Sequence, residues 1–189
     1  MYFGRQAFAL LGLMLLGLHA AMPAPLPRAS PEFSVNPPSG EITQLSSLKG
    51  KVVVMEFLFV KSQHCLRVAR MLNDLQAELG PRGFQSIAVV FDAPDAATTG
   101  GDLLGPMIDY LRLTYPVGYA TRAAVDSHLG RSNNEILSIP QLVVIDRTGT
   151  IRAATGTGPN PSLEDAKFLR NFANALLNEP MATNGKPKP

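Results

Sequence analysis

The chain has 189 residues, 17 Lys and Arg against 15 Asp and Glu for a formal net charge of +2, and a single cysteine, Cys65. That length carries one domain with a full hydrophobic core and not readily two. The basic residues are scattered, without a run interleaved with aromatics, which argues against nucleic acid as a partner, and one cysteine excludes a disulfide within the molecule.

Arg5 precedes an apolar run from Ala7 to Leu18, with small residues at Ala20, Ala21 and Ala24. This reads as a signal peptide over 1–21, cleaved after Ala20 or Ala21. The run is shorter than the roughly 20 residues a spanning helix needs, so the alternative is an uncleaved N-terminal anchor that also counts in Phe3 and Ala20 to Met22 and tethers the protein to a membrane. No cysteine follows the run, which excludes lipid attachment there. Residues 22–38 are rich in Pro and Ser and read as a linker, 39–178 as the folded domain, and 179–189, ending Lys-Pro-Lys-Pro, as a disordered tail. Export places the domain in a periplasmic or other extracytoplasmic compartment, which is oxidising. A lone cysteine there is either buried and inert or free to pair with another molecule.

Lys51 to Val60 is apolar and β-branched almost throughout, the pattern of a strand buried on both faces, and Glu56 alone interrupts it. Cys65 then opens a helical pattern continued by Val68, Ala69, Leu72, Leu75 and Leu79 and closed by Gly80-Pro81. Phe84 to Phe91 is a second buried strand, so the three elements form a βαβ unit with parallel strands. A polar loop follows from Asp92, and then a helix carries Leu104, Met107, Ile108 and Leu111 on one face. Pro116 to Ala120 reads as a short strand and Thr121 to Leu129 as a short helix stopped by Gly130. Gln141 to Ile145 and Thr150 to Ala154 are joined by Asp146-Arg147-Thr148-Gly149 and form an antiparallel hairpin. The last helix is expected to begin at Ser162, with Asp165 completing a capping box, and to bury Leu163, Ala166, Leu169, Phe172, Ala173 and Leu176.

This order of elements is that of an α/β thioredoxin-like fold, a mixed central sheet with helices on both faces. Four motifs in the matching order carry a resemblance: Leu48-Lys49-Gly50-Lys51, the strand-to-helix turn ending in Cys65, Ile139-Pro140, and Val143-Val144-Ile145-Asp146-Arg147-Thr148-Gly149-Thr150-Ile151. Over about Phe33 to Leu177 the chain resembles exported thioredoxin-like proteins of the TlpA/ResA-like, or wider AhpC/TSA redoxin, group. The resemblance implies a Cys-x-x-Cys site at the start of the first helix, where Ser62-Gln63-His64-Cys65 has lost the first sulfur. Ser62 stands at the nucleophile's position and is a favoured helix cap, while Cys65 stands at the position of the second, mostly buried cysteine. Glu56 occupies the place of the acid that such proteins bury beneath that cysteine as a proton acceptor. His64 occupies the place of a histidine that stabilises the missing thiolate. Ile139 and Pro140 match the cis-proline segment that presents backbone to a bound peptide. Each site residue also has a plain structural reading: a cap for Ser62, a core residue for Cys65, a relict acid for Glu56 and a surface residue for His64.

The resemblance implies exported protein or peptide thiols and disulfides as partners, and no cofactor. No metal is expected, since His64, Cys65 and His128 lack ligand spacing. The leading expectation is a degenerate thiol-disulfide oxidoreductase whose Cys65 at most forms mixed disulfides. A peroxiredoxin-like peroxidase is the alternative, because Ser62-x-x-Cys65 satisfies part of that family's motif; Leu58 and Ile139-Pro140 stand where it has Pro and Arg, and Arg67, Arg70 or Arg131 would have to replace the latter. A non-catalytic binding module is the third reading.

Overall fold

The computed structural model describes residues 25–38, 40–91, 101–132, 136–156 and 162–180. The signal segment, the loop from Asp92 to Gly100 and the tail beyond Pro180 lie outside these residues.

The sheet is built around β4 (Val52–Leu58), every residue of which is buried. Helix α1 (Gln63–Leu79) connects it to β5 (Phe84–Val90), which pairs with β4 in parallel from Val52↔Phe84 to Leu58↔Val90. On the other side β4 pairs antiparallel with β7 (Gln141–Ile145). Strand β8 (Thr150–Ala154) returns antiparallel along β7, as the hairpin pattern predicts. The turn between them is tied by Asp146, whose Oδ1 accepts the Thr148 and Thr150 N–H groups at 2.9 and 3.0 Å, with Gly149 at a φ of 86° that a side chain would resist. The short expected strand near Pro116 is β6 (Val117–Tyr119), parallel to β5, and α3 (Arg122–Leu129) follows it, capped by Thr121 and stopped by Gly130 in the left-handed region.

Three short strands escape the sequence reading. Within the stretch read as linker, β1 (Arg28–Ala29) pairs with β8 at one edge of the sheet, and β2 (Ser34–Val35) pairs with β3 (Thr43–Gln44). Two-residue strands leave no periodicity to detect, yet the segment is packed: Phe33 and Val35 are buried. Asn36 exchanges backbone hydrogen bonds with Tyr119 and so covers the β6 edge. Gly118 allows that approach, because a Cβ there would stand 2.6 Å from the Asn36 carbonyl oxygen. The six strands run in the order β1-β8-β7-β4-β5-β6.

Alternation along β4 sorts the core into two layers. Val52, Val54 and Leu58 face α1, α2 (Gly101–Leu111) and α4 (Ala166–Asn178), while Val53, Met55 and Phe57 face α3 and the N-terminal segment. The final helix begins later than expected. Its cap is Asp165, whose carboxylate accepts the Phe168 N–H at 2.7 Å; Ser162 instead closes a preceding turn by accepting the Asp165 N–H at 2.8 Å, and that turn drives Leu163 into the core.

One buried group in the second layer sets an acid limit. His128 is 1% exposed, packs its ring 5.1 Å from Phe33 and 5.8 Å from Phe57, and has no hydrogen-bond partner for either ring nitrogen among the described residues. Burial, reinforced by the nearby Arg28 charge, pushes its pKa down from 6.5 to about 4. The unfolded chain therefore takes up this proton at a higher pH than the folded one, and stability is lost as pH falls from 6.5 toward 4, by about 3 kcal/mol if His128 acts alone. Denaturant midpoints measured across this range should show the loss in the natural protein and a flatter profile in His128→Leu. An unchanged acid slope in that variant would assign the transition to other groups.

Candidate functional site

The site forms where β4 ends and α1 begins. Ser62 is in extended conformation and caps the helix, its Oγ accepting the Cys65 N–H at 3.4 Å, which satisfies one of the free N–H groups of the first turn. The expected capping role of Ser62 is thus its observed one. Cys65 lies three residues on and faces inward with Val68, Ala69 and Leu72, at 0% exposure.

Beneath it, alternation along β4 turns Glu56 to the same face as Val54 and Leu58. Glu56 is fully buried and neither carboxyl oxygen has a hydrogen-bond partner among the described residues. Desolvation, with a smaller contribution from the charge of Glu164, raises its pKa well above 4.5. Burial likewise pushes the Cys65 thiol up; hydrogen bonds to Ser62 and to the Phe59 backbone oppose this, and the charge of Glu56 adds to it. Tyr115, buried in the same layer, donates its hydroxyl to the Ala69 carbonyl of α1 at 3.1 Å and has its pKa raised by burial and by Glu56. Cys65, Glu56 and Tyr115 thus form one electrostatically linked group, and among the described residues no cation acts on the thiol.

His64 turns outward, half exposed, and donates from Nε2 to Glu164 Oε2 at 2.5 Å. Pro140 is buried and the Ile139–Pro140 peptide is cis. The pairing of Gln141 with Phe57 puts that peptide at the end of the sheet from which the Ser62 turn emerges, and Ile139 packs against both core layers. All six residues singled out in the sequence therefore lie on or directly beneath one end of the sheet. Of the arginines considered as thiolate partners, Arg67 donates to the Gln63 carbonyl, Arg70 lies over the Tyr110 ring and Arg131 donates to the Ile136 carbonyl. Among the described residues no group of three His, Cys, Asp or Glu side chains is gathered as a metal would require.

Two participants were not legible in the sequence. Glu164 reaches His64 across 100 residues, and Tyr115 reaches α1 across 46, so neither leaves a local spacing signal.

Because Glu56 is held neutral in the folded chain and ionises in the unfolded one, its contribution to stability is full below pH 4.5 and lost as pH rises above it toward the raised folded pKa. Glu56→Leu should leave the fold intact and stabilise it more at pH 8 than at pH 4, by about 1–3 kcal/mol at the higher pH. Urea melts at both values provide the check; a variant less stable than the natural chain at pH 8 would mean that the carboxyl is bonded in a polar network.

The AhpC/TSA family model matches residues 27–154, a span that includes β1, the Ser62 turn, the Ile139–Pro140 peptide and the β7–β8 hairpin. Solved structures with the same fold include a thioredoxin-family thiol:disulfide interchange protein from Chlorobium tepidum TLS, at a TM-score of 0.66 and 21% identity over 82% of this chain and 99% of that one. A thiol:disulfide interchange protein from Bacteroides sp. superposes at 0.62 with 19% identity, covering 85% of this chain and 94% of the other. Among curated proteins, glutathione peroxidase 1 of Bos taurus is 43% identical over 65 residues, which is 34% of this chain and 32% of that protein, so the matched stretch spans only about a third of the relative's length. At these identities the solved structures establish the thioredoxin-like fold, and the family match, which spans well over half of the sequence, establishes that the chain belongs to the AhpC/TSA family.

Proposed function

We propose that this protein is an exported thioredoxin-like thiol-disulfide oxidoreductase homologue with a degenerate, single-cysteine site. It binds peptide or protein partners beside the Ile139–Pro140 segment and engages their sulfur only through Cys65. The observation that carries this reading is the pairing of a capping Ser62 with a buried Cys65 at the start of α1, over the buried Glu56 carboxyl. The N-terminal apolar run supports export to a periplasmic or other extracytoplasmic compartment, with the uncleaved run as a membrane tether in the alternative. Among the described residues no helix is long and apolar enough to cross a membrane.

The chemistry this arrangement allows is limited to one exchange. The Cys65 thiol gives up its proton, to the Glu56 carboxylate when that group is ionised or to water, and the thiolate attacks one sulfur of a partner disulfide. The partner's S–S bond breaks, its second sulfur leaves with the electron pair and takes a proton, and a mixed disulfide remains. Ser62 has no sulfur with which to resolve it, so release needs a thiol from outside. Burial and the raised Cys65 pKa make this exchange slow unless a bound partner opens the turn.

The likeness to glutathione peroxidase 1 favours a second reading, in which Cys65 attacks peroxide and becomes a sulfenic acid. Against it stand the burial of Cys65 and the lack, among the described residues, of a cation acting on it, since a peroxidatic cysteine works as an accessible thiolate. The natural protein should therefore consume hydrogen peroxide no faster than an ordinary thiol. A rate well above that of free cysteine, with a trappable sulfenic acid at Cys65, would reverse the ranking.

Ser62→Cys tests the lineage directly. The substitution places a second thiol three residues before Cys65 at a helix N-terminus, and it should form an internal disulfide under mild oxidation and gain dithiol-dependent reduction of an insulin-type substrate. Thiol counting on the folded monomer decides: two free thiols after oxidation would show that the turn is not a degenerate redox site.

A further inference from the structure

Residues 26–36 run along the α3 face of the sheet from one edge to the other. Leu26 packs into that layer of the core, Arg28 and Ala29 pair with Ile151 and Thr150 of β8, and Asn36 exchanges backbone hydrogen bonds with Tyr119 of β6. A single strap therefore closes both edges of the six-stranded sheet. It is anchored midway by Phe33, which is buried and packs in a cluster of three rings, 5.6 Å from Phe57 of β4 and 5.1 Å from His128 of α3. Arg28 of the strap donates from Nη2 to the His128 carbonyl at 2.6 Å. The seam is incompletely filled. It holds a cavity of about 360 Å³, lined by Pro31, Glu32 and Phe33 on the strap and by Thr121, Ala124 and His128 on the other side.

We propose that residues 26–36 are an acid-released strap latched by His128: protonation of the buried imidazole beside the Arg28 guanidinium detaches the strap and bares both sheet edges, while β4, α1 and β5 stay folded. The strap yields first because it supplies one of the three rings and the neighbouring charge. Lifting it opens the imidazole to water and parts it from Arg28 without moving Phe57 in β4. Burial, then the Arg28 charge, lowers the His128 pKa from 6.5 to about 4, whereas the uncovered ring returns toward 6.5. The hold of the strap is therefore full above pH 6.5 and lost as pH falls toward 4, by up to about tenfold per pH unit. Other charged groups leave this range to His128. On α3, Arg122 pairs with Asp126 at 2.7 Å, Arg131 beyond it donates to the Ile136 carbonyl, and Arg152 of β8 pairs with Asp146 and Glu179. By alternation β4, β5 and β7 turn no titratable side chain to this layer. Burial pushes the Glu32 carboxyl up, but hydrogen bonds from Ser46 and Phe33 outweigh it and hold the group below 4.5, so it titrates at the acid end only. The device lies on the face of the sheet opposite Cys65 and does not depend on the reading of that residue.

Native-state hydrogen exchange on the full-length chain from pH 7 to 4.5, with each amide rate divided by its intrinsic rate, separates local release from global unfolding. The Ser30, Asn36, Leu45 and Tyr119 amides, which donate across the contacts of the strap, should be less protected than the Val53 to Phe57 amides of β4 at every pH. Their opening should be nearly independent of dilute urea, as a small local exposure requires, and should rise about thirtyfold or more from pH 7 to 4.5. In His128→Leu the local opening should persist and its pH dependence vanish. Strap and β4 amides that share one protection and one urea slope would show only global unfolding and overturn the strap. A local opening that ignores pH, or one that keeps its pH dependence in His128→Leu, would overturn the latch. Linkage supplies a second test that leaves the imidazole in place. Phe33→Ala loosens the strap, so the His128 titration followed by the NMR shifts of its ring protons should move from about 4 toward 6.5. A titration that stays near 4 while the strap amides are open would mean that the strap does not cover the ring, and the proposal fails.

Discussion

Strand β4 is buried along its whole length and hydrogen-bonded on both sides, to β5 and to β7, and the remainder of the structure is arranged around that constraint. Its backbone is satisfied by the ladder, so the only groups it can leave unsatisfied are in side chains, and there is one: the carboxyl of Glu56. An apolar side chain would pack there without penalty. A carboxyl at the same place is pushed toward its neutral form by its surroundings, and only when ionised does it oppose ionisation of Cys65 and Tyr115. The strand also ends at the turn that starts α1, so the same element that carries the acid delivers Ser62 and Cys65 above it.

The electrostatics of the turn come from a contest between a helix end on one side and burial, joined by one carboxyl, on the other. The α1 N-terminus and the Ser62 hydroxyl favour an anion, but a helix terminus is worth about 0.3–1 kcal/mol to a charge near it, and more only in favourable buried geometry. Burial of Cys65 acts in the opposite sense, joined by Glu56, and the net result is a thiol pushed up. Burial prevails here because the thiol projects inward, one turn into the helix, and not outward at its tip. The position that would profit most from the helix end is the cap, and it holds a hydroxyl. The one sulfur of the chain thus lies on the inner face of α1, where burial outweighs the pull of the helix end.

The two layers of the core impose limits of opposite sign on the fold. On the α1 side, Glu56 is neutral in the folded chain and draws stability down as pH rises. On the α3 side, His128, wedged against Phe33 and Phe57, is neutral as well and draws stability down as pH falls. Arg28 lies at the second of these places, where its Nη2 donates to the His128 carbonyl at 2.6 Å, so the N-terminal segment is bound to the same group that limits acid stability. Each group is a polar side chain where an apolar one would fit, and neither has a compensating bond within the described residues.

Local pattern was enough for much of this. The unbroken apolar run of β4, the spacing of Val68, Ala69, Leu72, Leu75 and Leu79 in α1, and the Asp-Arg-Thr-Gly turn each state their element because periodicity and turn chemistry act over a few residues. The order of those elements yields the thioredoxin-like fold, and the absence of a sulfur at position 62 is a matter of sequence alone. Other features required the folded chain. Arg28–Ala29, Ser34–Val35 and Thr43–Gln44 become strands only because a sheet edge or a neighbouring strand is there to receive them. The start of α4 moved from Ser162 to Asp165 because the burial of Leu163 turns the chain before the helix can begin. The pairing of Glu164 with His64 and the bond from Tyr115 to Ala69 join residues far apart in the chain, and only tertiary packing, which depends on distance in space and not on spacing along the backbone, brings them to α1.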